Sequence, residues 1–404
     1  MLNDYLPNQL LKEELVKRDW LLTNIEKDDG WLQGPLIVPF KSAGASSISF
    51  GSLTAGTDIA EDAYLRGEIS TYPEVHGSML FNWRDLIEHG QVSEKNFLKI
   101  LPDAVDDFMA YMKMCVSLSI TNGPSFAKVT DATNAASGVM VVDHIERFVL
   151  GQKCSLDDDD SAATDVYVTA INSNTAEVTL SASRGGAAAN LSAYSVAQNA
   201  KFYFAGSQSN GMSSLKLALL PASAGGDSSL YGQTKTSSPY LQAICASGAS
   251  ITAANILDSI FDHYVTVKNR GKGNPNKVLM SYKNFGSVLK SLETNKGAFH
   301  QDQKGTKVSV YGWTEVSIFG PAGVLDIVAI QECDDDWIGF LDMRPTVMKF
   351  YSNGFFRKQM SPDGREYFEQ RATTGRSYIV DISCFGDFVL QRPSYCGALH
   401  SISY

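Results

Sequence analysis

Between Ser93 and Ile120 the apolar positions fall on one stripe. Val105, Phe108, Met109, Met112, Val116 and Ser119 follow helical spacing, while Asp103, Asp106, Asp107 and Lys113 lie off it. The pattern predicts a long helix with one buried face. Ser93 is its expected N-cap, Val92 and Phe97 stand where a hydrophobic staple would place them, and Asn122-Gly123-Pro124 is the stop. Pro102 removes a hydrogen bond and crowds the preceding turn, which predicts a kink or a restart.

Before this helix the pattern is different. Leu10, Leu11, Leu15, Leu21, Leu22 and Ile25 are spaced as a short amphipathic helix after Pro7. From Trp31 to about Val75, apolar patches such as Leu36-Ile37-Val38 and Ile48 with Phe50 alternate with Gly and small polar residues. Those patches predict paired strands in an extended arm. The arm has too few large residues to close a core of its own, so it needs a partner surface. Gly77 to Phe81 reads as another strand.

After the helix, from about Val129 to Phe204, β-branched residues alternate with turn clusters. Strands are expected near Val139–Asp143, Arg147–Leu150, Asp165–Ile171, Thr175–Leu180 and Lys201–Phe204, giving a small five-stranded barrel or sandwich. Gly206 to Gly248, rich in Gly, Ser and Ala, is expected to be mostly loop. A helix from Thr252 to Arg270, a strand at Lys277–Ser281, a second helix carrying Phe285, Val288, Leu289 and Leu292, and strands at Lys307–Val310 and Glu315–Phe319 predict an α/β unit. The last 80 or so residues read as strands almost throughout, from Val324–Ile330 to Phe388–Leu390, with a tight reversal at Ser361-Pro362-Asp363-Gly364.

Length and composition narrow the possibilities. At 404 residues the chain exceeds one comfortable core, so two or three compact units are expected. With 44% hydrophobic and 19% charged residues it is ordinary globular material, and no apolar run is long enough to predict a membrane span. Met1 to Gln9 lack the features of a secretory signal, so the expected site of synthesis is the cytosol. A net charge of −10 argues against global attraction to nucleic-acid phosphates, leaving only local contact.

Candidate chemistry is sparse. Six cysteines without a C-x-x-C pair, and six histidines that never pair at i, i+4, point to neither zinc nor a disulfide framework. Phosphate-loop, dinucleotide and nucleophile-elbow motifs are missing, so no catalytic, cofactor-binding or metal-binding residue is assigned and no enzyme is expected. The acidic runs Asp157–Asp160 and Asp334–Asp336 are expected to be solvated turns. Lys268, Arg270, Lys272 and Lys277 surround a Gly-Asn-Pro-Asn loop and could touch phosphates. No aromatic interleaves them for base stacking, so a surface loop is expected there.

The order of parts carries the strongest signal. An N-terminal helix, a two-stranded arm, a long helix, an α/β unit and a closing β-run resemble the major capsid proteins of tailed bacteriophages, the Hong Kong 97 fold. Tyr231-Gly232-Gln233-Thr234-Lys235-Thr236-Ser237-Ser238-Pro239-Tyr240-Leu241 resembles that family's segment before its axial domain, and Lys277–Ser281 with the helix ending at Lys296-Gly297 resembles the strand and helix that come next in the family.

The resemblance implies an α+β chain divided as residues 1–30 N-terminal arm, 31–82 extended loop and 83–128 peripheral domain with a spine helix at 93–120. Residues 129–205 would be an inserted β-domain, 206–323 a loop region and axial α/β domain, and 324–404 a closing β-rich part. It implies a homo-oligomeric shell of hexamers and pentamers around double-stranded DNA contacted nonspecifically. Its partners would be a portal and a separate scaffolding or decoration protein, with no membrane and no cofactor; its place would be the virion, after assembly in the host cytoplasm. Leu15, Trp20, Trp31, Ile48, Phe50, Tyr64 and Arg66 are the expected subunit-interface residues. Lys41 is the only lysine between Lys27 and Lys95, which speaks against the loop-lysine crosslink of some relatives. The rival reading is a binding module in which the β-domain recognises a glycan or protein.

Overall fold

The computed structural model describes residues 20–28, 35–43, 63–69, 73–82, 94–132, 135–157, 164–189, 200–271, 273–294, 316–320, 323–352, 356–358, 369–371 and 377–403. The chain divides into two compact units. The first draws on Met1–Thr23, Pro73–Ser214 and Ser352–Asp387, the second on Asn24–Tyr72, Leu215–Tyr351 and Phe388–Tyr404.

The first unit holds the long helix, Glu94–Thr121, which runs for 28 residues. Its assignment is unbroken through Pro102, so the expected restart does not occur. Val92 and Ser93, the staple and cap, lie outside the described residues. At the other end Gly123 takes φ 117° while the Asn122 and Gly123 amides bond back to the Leu118 and Ser119 carbonyls at 2.8 and 3.1 Å. That geometry is why a glycine stands at the stop.

The single buried stripe is only half the pattern. Met112, Val116 and Ser119 are buried as expected, but so are Ser117, Leu118, Ile120 and Thr121. Two neighbours cover this end. On one side the strand Glu74–Asn82 lies so close that a Cβ on Gly77 would collide with the Phe108 ring and meet Met112 Sδ at 3.4 Å. On the other, Met114 and Leu118 join the core of a β-barrel. The nine-residue strand Ser377–Phe385 pairs antiparallel with Glu74–Asn82 along its whole length, and also pairs with Phe356–Lys358 and Glu369–Arg371. The Ser361–Gly364 reversal lies outside the described residues.

The barrel is closed and antiparallel. Around it the strands run Lys201–Phe204, Ser125–Asp131, Val139–Val142, Glu177–Ser181, Thr164–Asn172 and Lys153–Asp157, the last pairing back to the first. Period-two alternation, interrupted in Ser125–Asp131 where Phe126, Ala127 and Val129 are all buried, sends Met140, Val142, Cys154, Leu156, Val166, Val168, Val178, Leu180 and Phe202 inward, and these side chains fill the interior. Phe126 is its hub, with ring centroids 5.0 Å from Phe148, 6.1 Å from Phe202 and 4.5 Å from Phe204.

Six strands replace the five expected, because Ser125–Asp131 and Lys153–Asp157 are strands. Arg147–Leu150, expected as a strand, is a 3-10 turn, Ile145–Arg147, followed by a loop. The reason is Arg147. Its guanidinium is buried and donates to the Phe126 carbonyl at 2.8 Å, which curls the backbone, while Phe148 packs inward and Val149 and Leu150 are exposed.

In the second unit a six-stranded mixed sheet runs Ile244–Ser247, Gly397–His400, Trp337–Leu341, Lys277–Met280, Gly323–Ala329, Val316–Gly320. The first two strands are parallel, as are Lys277–Met280 and Gly323–Ala329; the other pairs are antiparallel. Trp337–Leu341 is buried at every position, as a central strand covered on both faces must be. Helices Ile256–Arg270 and Tyr282–Thr294 contribute Ile256, Ile260, Tyr264, Val288 and Leu292 to a core shared with Val278, Met280, Ile338, Phe340 and Leu399.

Two corrections follow. The stretch Gly206 to Gly248, expected to be mostly loop, contains a short helix Ser207–Asn210 in the first unit and, in the second, the helix Leu215–Leu219, a ribbon of Ser229–Leu230 with Gln233–Thr234, and the edge strand Ile244–Ser247. Asp334–Asp336 is not a free solvated turn. Buried Lys216 reaches Asp334 at 2.9 Å and Asp336 at 2.7 Å, and Lys283 lies 3.6 Å from Asp335. A buried ammonium requires such counter-charges to stay ionised. Lys307–Val310 and the residues after Asp157 in the first acidic run lie outside the described residues.

Candidate functional site

Among the described residues of the second unit, the root of the arm exposes large apolar side chains along one face. Leu36–Ala43 pairs antiparallel with Ala63–Ile69, with Leu36 opposite Ile69, Val38 opposite Gly67 and Phe40 opposite Leu65. Because side chains alternate, the register puts Leu36, Val38, Phe40, Leu65, Gly67 and Ile69 on one face and Ile37, Pro39, Lys41, Tyr64, Arg66 and Glu68 on the other. Burial separates the faces cleanly. Val38 and Phe40 are 2% and 1% exposed, whereas Ile37 and Tyr64 are 50% and 63% exposed.

The inward face is fixed by several bonds within its own unit. The Phe40 ring stacks on Tyr231, with centroids 5.8 Å apart and planes 9° from parallel. Gly67 makes room for it, since a Cβ there would lie 2.5 Å from Phe40 Cε2. Tyr231 and Gly232 have φ of 47° and 78°, the left-handed pair that a two-residue hairpin turn requires. The turn aims the Tyr231 carbonyl at the Glu68 amide, 2.9 Å away. Gln233 Nε2 donates to the Arg66 carbonyl at 2.8 Å, and Ser238 Oγ to the Lys41 carbonyl at 3.3 Å. The Tyr231 hydroxyl donates to Phe388 O at 3.2 Å and accepts from Leu390 N at 2.9 Å. The Tyr231–Leu241 segment is therefore a clamp for the arm.

The clamp is itself anchored by Lys235. Its ammonium is buried and donates to the carbonyls of Leu217 and Leu220 at 2.7 and 2.8 Å. Burial lowers its pKa to about 8, opposed by the Asp227 carboxylate, whose own pKa burial raises. His263 is buried with Nε2 3.1 Å from the Ile244 carbonyl, and burial lowers it to about 4. These groups bind helices and strands together within the unit.

The outward face has different chemistry. Ile37, Pro39 and Tyr64 form an apolar surface edged by Lys41 and by the loose Arg66–Glu68 pair at 4.0 Å, which is too exposed to contribute much stability. Exposed Tyr and Ile beside an Arg are the composition of a protein–protein contact. Of the expected interface residues, Tyr64 and Arg66 stand together on this face. Trp20 belongs to the first unit, half-buried at the start of the helix Trp20–Asn24. Leu15, Trp31, Ile48 and Phe50 lie outside the described residues. Ile37 and Pro39 join Tyr64 and Arg66 here and are not among the expected interface residues, although alternation through Leu36–Lys41 marks them as a second face. Among the described residues no three His, Cys, Asp or Glu side chains gather as a metal site, and no helix is long and apolar enough to cross a membrane.

Neither a protein-family model nor a curated protein matches this sequence. Solved structures do. The capsid of a native GTA particle superposes with a TM-score of 0.51 at 10% identity, covering 95% of this chain and 90% of the other. The cyanophage A-1(L) capsid asymmetric unit gives 0.50 at 11% identity, covering 97% and 93%. Both likenesses span nearly the whole of each chain at an identity where only backbone architecture is shared. This chain has the mixed α+β fold of phage-type capsid subunits, the Hong Kong 97 fold.

Proposed function

We propose that the chain is the major capsid protein of a tailed bacteriophage: copies assemble as hexamers and pentamers into an icosahedral shell around double-stranded DNA. The observation that carries this reading is the two-faced arm root. One face is bonded to its own unit and the other is exposed with contact chemistry. A ribbon with one sealed and one open face is suited to lie across another copy.

In this reading residues 31–82 are the inter-subunit loop, and Leu15, Trp20, Trp31, Ile48, Phe50, Tyr64 and Arg66 contribute to the contacts. The barrel is an insertion that projects or braces neighbours, with residues 129–205 widened to begin at Ser125, where its first strand starts. Its interior is filled by side chains, which supports a structural rather than a ligand-holding role. A portal, a separate scaffolding or decoration protein, and assembly in the host cytoplasm complete the proposal.

Electron microscopy of the expressed protein, alone and with its scaffold, tests it. Closed shells are expected; only monomers or small dimers under every condition would overturn it. Tyr64→Asp with Ile37→Asp should abolish shells while leaving the unfolding midpoint of the free subunit unchanged.

A further inference from the structure

The C-terminal end of helix Ile256–Arg270 meets two other segments of the second unit, and all three are basic. Arg344 and Arg392 flank one aromatic ring, their guanidinium carbons 5.5 and 5.3 Å from the Tyr395 centroid. Arg392 Nη1 also reaches the Tyr395 hydroxyl at 3.4 Å. The backbone just after Arg270 runs close to this segment: a Cβ on Gly271 would lie 2.9 Å from Ser394 O, and one on Gly273 would collide with the Tyr395 backbone. Lys268 is close enough to Asp342 and Arg344 to sense both, after burial, as its pKa falls.

The charge balance at this spot is opposite to that of the molecule. The chain carries −10, yet residues 263–277, 343–352 and 388–404 contain no Asp or Glu. An acid at the junction, Asp342, is 1% exposed in its side chain and already used by the Arg344 fork and the Asn274 amide. Lys277 is spent on Asp326 at 2.7 Å. Among the described residues, neither Arg270 nor Arg392 has a carboxylate within ion-pair distance, and Arg344 still exposes 52% of its side chain.

We propose that Arg344 and Arg392 on Tyr395, with Lys268 and Arg270 in the adjoining last turn of helix Ile256–Arg270, are a contact surface for the phosphate backbone of duplex DNA. Tyr395 holds both guanidinium planes and Asp342 also fixes that of Arg344 through Nε and Nη2; the N–H groups that these bonds leave over match phosphate oxygens, so less side-chain freedom is lost on binding. A subunit with a net charge of −10 repels a polyanion as a whole, so contact with one needs a local cluster of cations such as this. The inference rests on the shell reading for the identity of the polyanion.

The test uses the full-length subunit and a fluorescein-labelled duplex of mixed sequence, with anisotropy read at several salt concentrations. Arg270→Gln with Arg392→Gln removes two cations that support no buried partner. The slope of log affinity against log salt should fall in magnitude by about two, so that raising salt from about 50 to 200 mM weakens the variant about tenfold less than the parent. An unchanged affinity and slope would overturn the proposal. So would equal competition by a polyglutamate of matched charge, which would assign the surface to an acidic protein segment. Electron microscopy of the same variant separates the two readings: shells that form without DNA retention leave the subunit role standing, whereas failure of the parent to form shells removes that role independently of the binding result.

Discussion

Truncating Phe40 to alanine should release the arm from its clamp. The ring is 1% exposed and stacked on Tyr231, so the substitution removes a fully buried aromatic and leaves a cavity between ribbon and hairpin. Such truncations cost about 3–5 kcal/mol, of which about 0.5–1.5 belongs to the ring pair itself. The centroid separation of 5.8 Å with nearly parallel planes is an offset stack, the favourable arrangement, so a pair value near about 1 kcal/mol is expected. For a unit of about 200 residues, the whole loss corresponds to a melting temperature lower by roughly 6–20 °C. The assay is a double-mutant cycle of Phe40→Ala and Tyr231→Ala on the unassembled subunit, read by urea unfolding, with hydrogen exchange on the amides of Leu36–Lys41 and Tyr64–Ile69. A coupling indistinguishable from zero, with exchange in the ribbon unaltered by Phe40→Ala, would refute the clamp.

Three further outcomes are expected from the same geometry. Gly77→Ala places a methyl against the Phe108 ring and should destabilise the subunit by about 1–3 kcal/mol, measured by urea midpoint, with Phe108→Leu in the same chain recovering part of it. Lys216→Gln leaves Asp334 and Asp336 facing each other in a partly buried turn; the loss should be about 3 kcal/mol, the low end for a broken buried pair because Asp336 is 38% exposed, and Lys216→Arg should retain most of it. His263 is held near 4 by burial while its unfolded value is about 6.5, so the unfolded chain binds the extra proton between those values. Its contribution is therefore complete above about pH 6.5 and lost as pH falls toward 4, amounting to roughly 3 kcal/mol; in His263→Gln that segment of the pH–stability curve should flatten.

What the sequence made legible depended on where the partner of each residue lies. The helix Ile256–Arg270 and the strand Trp337–Leu341 declare themselves because their own apolar residues outweigh every alternative. Ile244–Ser247 and Gly397–His400 do not. Their residues are small or mixed, and they become strands because helix Ile256–Arg270 lies over them, close enough that a Cβ on Gly397 would collide with Val267. Arg147–Leu150 reads as a strand because only its local apolar pattern is visible in the sequence, whereas Arg147 donates to a carbonyl 21 residues away. Asp334 and Asp336 looked solvated for the same reason, their partner Lys216 being more than a hundred residues distant.

The same rule separates the two surfaces on which function is argued. The arm root could be read locally, since alternation through Leu36–Lys41 and Tyr64–Ile69 describes a ribbon that its own residues cannot bury on both sides. The basic surface could not. Lys268 and Arg270, expected in a surface loop, stand in the last turn of helix Ile256–Arg270, and Tyr395, which holds Arg344, arrives from the far end of the chain with Arg392 beside it. The two surfaces also make independent demands on assembly. An exposed apolar face is stabilised by contact with another copy at any salt concentration, whereas a phosphate contact weakens steeply as salt rises. Shells that stay closed in high salt while their nucleic acid becomes easier to release would be the physical signature of one subunit using both.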